Sequence, residues 1–225
     1  MLGLKRFLFK GDAHELPEQI PPALAAWRGI TAPSLDEGHF HNRYIVLDIV
    51  TSGVKPASDR VLGMAGCTVH REFVSPGDAF FVHSADEEAD QGVHDDGLNE
   101  HQLMAFLQFS AKCPIVTYHG AFVGEFLQRT YKEKLGLSFQ PAWIDLAWLL
   151  PTLFPEKWHT IRPLDHWIDA FGLDAGSGRR SSMENSLLLA RMFQMLLIRA
   201  KEKHIDTAQA LIQESEASCQ LLRTH

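Results

Sequence analysis

The stretch Arg43-Tyr44-Ile45-Val46-Leu47-Asp48-Ile49-Val50 constrains this chain more than any other. It is a dense aliphatic and β-branched run broken by Gly53 and Pro56, the pattern of a central strand buried on both faces. A second strand is predicted over 61–69. A third combines 71–74 with 80–83 and bends at Pro76-Gly77. Residues 85–99 are polar and acidic and read as a surface loop, after which 100–109 shows helical spacing. Short strands are predicted at 115–118 and 142–144. Helices are predicted at 124–134, 146–153, 163–171, 183–203 and 207–222. Three strands followed by alternating strands and helices predict a mixed α/β sheet with helices on its faces. Pro22 suits the first turn of a short helix ahead of Trp27.

Composition narrows the function classes. The 225 residues allow one domain with a real core. Twenty-eight acids against 21 bases give a net charge of −7, which excludes a general nucleic-acid coat but leaves room for a small local groove around a strand end. Cys67, Cys113 and Cys219 are odd in number and far apart, which speaks against a disulfide framework and suits a reducing cytoplasm. No H-x-x-x-H or H-E-x-x-H pattern points to zinc. No apolar run reaches the roughly 18–20 residues that span a bilayer, so no membrane partner is expected. The apolar run 187–197 reads as a buried helix. The first ten residues lack a small-residue cleavage site, so no secretory signal is expected.

Several segments resemble, in order, the motifs of one family. Residues 44–53 read Y-I-V-L-D-I-V-T-S-G, close to a hydrophobic strand ending D-x-E-T-T-G. Phe73-Val74-Ser75-Pro76-Gly77 is similar to that family's third strand and turn, and Val93-His94 to its I-H-G segment. Residues 115–127, I-V-T-Y-H-G-A-F-V-G-E-F-L, resemble L-V-x-H-N-A-x-F-D-x-x-F-L. Trp143-Ile144-Asp145-Leu146 resembles an I-D-T stretch, and 180–193 the closing H-x-x-x-x-D-A motif. The resemblance is to the DEDDh 3′–5′ exonuclease superfamily, which includes the proofreading epsilon subunit of bacterial DNA polymerase III.

That resemblance implies a ribonuclease H-like α/β fold, with a central mixed sheet of about five strands and helices on both faces. It implies an exonuclease-like domain over 41–203, flanked by an N-terminal extension (1–40) packed on it and a C-terminal helix (204–225). In active members four carboxylates hold two divalent ions and a histidine deprotonates water. Hard cations such as Mg²⁺ take oxygen ligands, and a metal pair stabilises the attacking and leaving oxygens. Here Asp48 keeps the first position, while Val50, Val123, Arg180 and Asn185 stand at the other four. Arg180 cannot serve as a base, because a guanidinium stays protonated at neutral pH. Glu125 and Glu184 lie near the lost positions in sequence but are rotated on a helix by about 200° and about 100°.

The expectation is therefore a catalytically degenerate relative with no metal and no cofactor, holding a single-stranded nucleic-acid 3′ end without cutting it or docking a protein. The alternative is an active 3′–5′ exonuclease using Mg or Mn through an altered ligand set. Thr51, Ser52 and Gly53 are candidate nucleic-acid contacts or a plain turn in which Gly53 permits positive φ. Phe122 is a stacking platform or core. His119 is a further candidate nucleic-acid contact that flanks the site, without a carboxylate beside it in sequence. Asp145 reads as structural. Asp48, left without metal, is expected to be solvated, protonated or paired, with Arg180 its partner at direct or one-water range.

Overall fold

The computed structural model describes residues 16–84, 97–174, 176, 178 and 180–223, with the backbone alone for 221–223. Residues 1–15 of the expected N-terminal extension, Val93-His94 and most of the acidic segment 85–99 lie outside the described residues. So does Arg179.

Five strands form one sheet in the order β3-β2-β1-β4-β5. They are β1 (Arg43–Thr51), β2 (Val61–His70), β3 (Phe73–His83), β4 (Ile115–Thr117) and β5 (Trp143–Asp145). Strands β1, β2 and β3 are antiparallel neighbours, whereas β4 runs parallel to β1 and β5 to β4. The run that most constrained the sequence thus lies at the centre of a mixed sheet.

Period-2 alternation in β1 explains the layers. Tyr44 and Val46 face one core, Ile45 and Leu47 the other. The Tyr44 side carries α4 (Leu146–Leu153), α5 (Leu164–Ala170), α6 (Ser182–Glu202) and α7 (Ala208–Arg223). The Ile45 side carries α1 (Ile20–Gly29), α2 (Glu100–Ser110) and α3 (Gly120–Leu135). Helices on both faces bury β1 almost completely until Asp48, where burial relaxes. The segment 187–197 lies within α6, whose Leu188, Leu189, Ala190, Met192, Phe193, Leu196 and Leu197 are all buried.

Two elements differ from expectation. Arg71 and Glu72 are not strand: both have positive φ (51° and 68°) and form the two-residue turn between β2 and β3. Primed hairpin turns need such values, which Asn-Gly usually supplies and this sequence does not. Strand β3 is one edge strand that is interrupted where the bend is expected: Ser75 stands opposite Thr68 and Ala79 opposite Cys67, which leaves Pro76, Gly77 and Asp78 without ladder partners in β2. Helix α3 begins at Gly120 rather than 124, because His119 enters the left-handed region (φ 62°) and Asp145 caps the turn.

Candidate functional site

Alternation along β1 places Asp48 on the same face as Tyr44 and Val46, toward the first turn of α6. That turn is set by a capping box: Ser181 Oγ accepts from Glu184 N–H at 3.2 Å, and Glu184 Oε2 accepts from Ser181 N–H at 2.7 Å. The S-x-x-E signature is plain in the sequence and was the missed clue to where α6 starts. Glu184 is thereby committed to the cap. With the helix so started, Asn185 faces β1 and its Nδ2 donates to Asp48 Oδ2 at 3.2 Å. Arg180, just ahead of the cap, donates from Nε to Asn185 Oδ1 at 2.8 Å and pairs through its terminal nitrogen with Asp165 at the start of α5.

The expected approach of Arg180 to Asp48, at direct or one-water range, takes the form of a relay in which Asn185 bonds both side chains. Arg180 does turn inward, its side chain 20% exposed, but a carboxamide stands between the two charges. A carboxamide both donates and accepts, so Asn185 bonds each neighbour with the end that suits it. Burial pushes the Asp48 carboxyl up to about 6, against the opposing pull of Asn185, the Ile49 N–H and the more distant Arg180 charge. Asp165 could not have been found from sequence, because nothing local signals which carboxylate a loop arginine reaches.

The remaining family positions are apolar. Val50 is half-buried at the irregularity that ends β1, where the register with β2 shifts before Thr51. Val123 is 4% exposed and belongs to the core under α3. Glu125 is exposed and lines a groove with Gln128, Trp143 and Glu216. Among the described residues, no group of three or more His, Cys, Asp or Glu side chains is placed to hold a metal ion.

The turn after β1 is closed on itself. Thr51 Oγ1 donates to Gly53 O at 2.8 Å, Ser52 N–H to Arg60 O at 3.0 Å, and Arg60 N–H to Ser52 Oγ at 2.9 Å. Gly53 is not in the positive-φ region, so the conformational reason expected for it does not apply. Its reason is space: a Cβ there would stand 2.4 Å from Asp59 Oδ2, which also accepts from Lys55 N–H at 2.7 Å.

After β4, His119 is exposed and its ring meets Tyr118 edge-on, with centroids 4.7 Å apart. Phe122 is half-buried against Phe126 at 4.8 Å. Asp145 sits beneath as a scaffold, accepting from the N–H groups of His119 (3.0 Å), Gly120 (2.7 Å) and Ala147 (2.9 Å), so it caps both α3 and α4. Its carboxyl is raised by burial.

No protein-family model matches the chain, and no curated protein matches its sequence significantly. Solved structures do match. Escherichia coli exonuclease I in complex with a dT13 oligonucleotide superposes with a TM-score of 0.55 at 20% identity, over 72% of this chain and 42% of that one. The nuclease domain of 3′hExo, a DEDDh family member bound to rAMP, gives 0.52 at 13% identity, over 72% of this chain and 94% of that one. A complex of exonuclease I with SSB-Ct gives 0.50 at 19% identity, over 72% and 42%. This chain thus spans under half the length of exonuclease I. The fold is the ribonuclease H-like α/β fold of DEDDh exonucleases. No described helix is long and apolar enough to cross a membrane.

Proposed function

We propose that this chain is a catalytically degenerate 3′–5′ exonuclease-like module that holds a single-stranded nucleic-acid 3′ end without cutting it. The observation that carries the reading is the Asp48–Asn185–Arg180 relay at the family's metal positions. Two divalent ions need several anionic oxygens, and these positions offer one carboxylate, one amide already bonded at both ends, and two valines. That donor set does not fit a metal pair. Arg180 supplies a fixed cation where the family has a proton-accepting histidine. Fold neighbours solved with a dT13 oligonucleotide and with rAMP support nucleic acid as the ligand.

The test is incubation of the purified chain with a labelled single-stranded oligonucleotide and Mn²⁺, beside Asp48→Asn, with binding followed in parallel. Retention of the strand without shortening is expected. Metal-dependent shortening abolished by Asp48→Asn would establish the active alternative with an altered ligand set.

A second reading, docking of a protein, is favoured by the turn at Thr51, Ser52 and Gly53. Its hydroxyls and the Ser52 N–H bond within the loop, and the Asp59 carboxylate covers Gly53. An anionic strand gains little from such a surface. Exonuclease I, a fold neighbour, is also solved with SSB-Ct. Failure of the oligonucleotide to bind in the same assay would select this reading.

A further inference from the structure

The half-buried arginines of the described chain divide sharply. Arg43 pairs with Asp78, Arg129 with Glu133, Arg180 with Asp165, and Arg199 with Glu156 and Glu202. Arg162 has no carboxylate and no hydrogen-bond acceptor for its guanidinium among the described residues, and its Nε is buried without a partner. Among the described residues this leaves a guanidinium unpaired at a cost, because a buried donor loses water and gains nothing. Arg162 is instead held by packing: its guanidinium carbon lies 4.7 Å from the Trp158 ring centroid.

Its place in the fold gives that spare cation a role. The Arg162 carbonyl accepts from the Tyr118 hydroxyl, and Tyr118 follows directly on β4 and carries the exposed His119 ring. Three residues on, Asp165 holds Arg180 and so the relay to Asp48. Trp158 meets the exposed His166 ring edge-on at 6.1 Å, and His159 beside it is exposed. The segment from Trp158 to His166 therefore brings a guanidinium that is unpartnered among the described residues, with several planar rings, next to the carboxylate that anchors the Asp48–Asn185–Arg180 relay.

We propose that Arg162 is a phosphate-binding position for a single strand entering the cleft, with Trp158, His159 and His166 forming the ring-lined wall beside it. A guanidinium takes two oxygens of a phosphodiester in its planar fork, and aromatic rings offer faces that nucleobases use. An acidic peptide would use the cation but not the rings. The inference rests on the reading that the module holds nucleic acid, and it adds which face the strand crosses.

The test measures anisotropy of a fluorescein-labelled oligothymidylate with the full chain, in EDTA, across a salt series. Arg162→Gln is expected to weaken binding about tenfold and to lower the salt slope by about 0.7, the contribution of one phosphate contact on a single strand. Arg162→Lys should recover part of the affinity, because it restores charge without the fork. Lys203→Gln should change nothing: Lys203 is exposed and lies 18 residues along the chain from Asn185, about 27 Å at helical rise. Melting curves check that each variant is folded. Unchanged affinity and slope in Arg162→Gln, with the unaltered chain still binding, would overturn this inference and leave the proposed function standing. No binding by the unaltered chain would overturn both. Capture of fluorescein-labelled polyglutamate instead, lost in Arg162→Gln, would make the occupant an acidic peptide and overturn the strand assignment.

Discussion

Asn185 Nδ2 donates to Asp48 Oδ2 at 3.2 Å, joining the first turn of α6 to the strand at the centre of the sheet. The same carboxamide accepts from Arg180 Nε at 2.8 Å. One neutral side chain thus couples a carboxylate raised by burial to a fixed cation 132 residues further along the chain, since Arg180 and Asp48 differ by that much in number.

Asp48 is expected to cost stability at neutral pH. Its carboxyl sits at about 6, above its ordinary 3.8, so folding favours the protonated form. Stability therefore falls as pH rises between about 4 and about 6 and stays low above that window. Asp48→Asn keeps an acceptor for Asn185 and removes the ionisation. It is expected to gain about 1–2 kcal/mol at pH about 8, with the gain vanishing below pH about 4. Urea denaturation at both pH values checks this, and a pH-independent difference would count against it.

Arg180 and Asn185 are expected to act as a unit. Arg180→Ala leaves Asn185 Oδ1 without its donor and Asp165 without its cation, for a loss of about 1–2 kcal/mol. In an Asn185→Ala background the same substitution should cost less, with a coupling of about 1 kcal/mol in a double-mutant cycle. Additive effects would show that the relay is geometric only.

The sheet was legible because its signals are local. Ile45 and Leu47 alternate with Tyr44 and Val46, and that period-2 pattern alone places β1 between two helical layers. The order of the family-like motifs pointed to Asp48, Val50, Val123, Arg180 and Asn185 as candidates, and the fold joins Asp48, Asn185 and Arg180 by hydrogen bonds. What stayed hidden depends on partners distant in sequence or on unusual backbone. The start of α3 is set by Asp145, 26 residues after His119. The β2–β3 turn places Arg71 and Glu72 in conformations that these residue types rarely signal. Arg180 had two acceptors to choose from, and only the folded α5 decides that Asp165 is one of them.

Gly53 is expected to tolerate alanine only when Asp59 is shortened. A Cβ at Gly53 would lie 2.4 Å from Asp59 Oδ2, so the carboxylate must leave the Lys55 N–H it accepts from. Gly53→Ala should cost about 1 kcal/mol, the worth of one hydrogen bond. In an Asp59→Ala background that cost should disappear, because the bond is already gone and the space is free. Gly53→Ala costing as much in both backgrounds would place the constraint in the backbone instead.

Restoring together the residues that the resemblance implies tests whether the degenerate reading holds. Val50→Glu, Val123→Asp, Arg180→His and Asn185→Asp put back the residues that the resemblance assigns to the other four positions. Val123 is 4% exposed in an apolar core, so a carboxylate there is costly without a counter-ion. Asn185→Asp also replaces the donor to Asp48 with a second carboxylate, which raises both groups further. The metal-free fourfold variant is expected to lose at least about 3 kcal/mol, part of it recovered by Mn²⁺ through binding to the folded state. It should shorten a labelled single strand from the 3′ end, whereas each single substitution should not, because groups acting on one reaction are not additive. A fourfold variant that folds, takes up Mn²⁺ by calorimetry and leaves the strand intact would mean that the cleft walls have diverged along with the ligands.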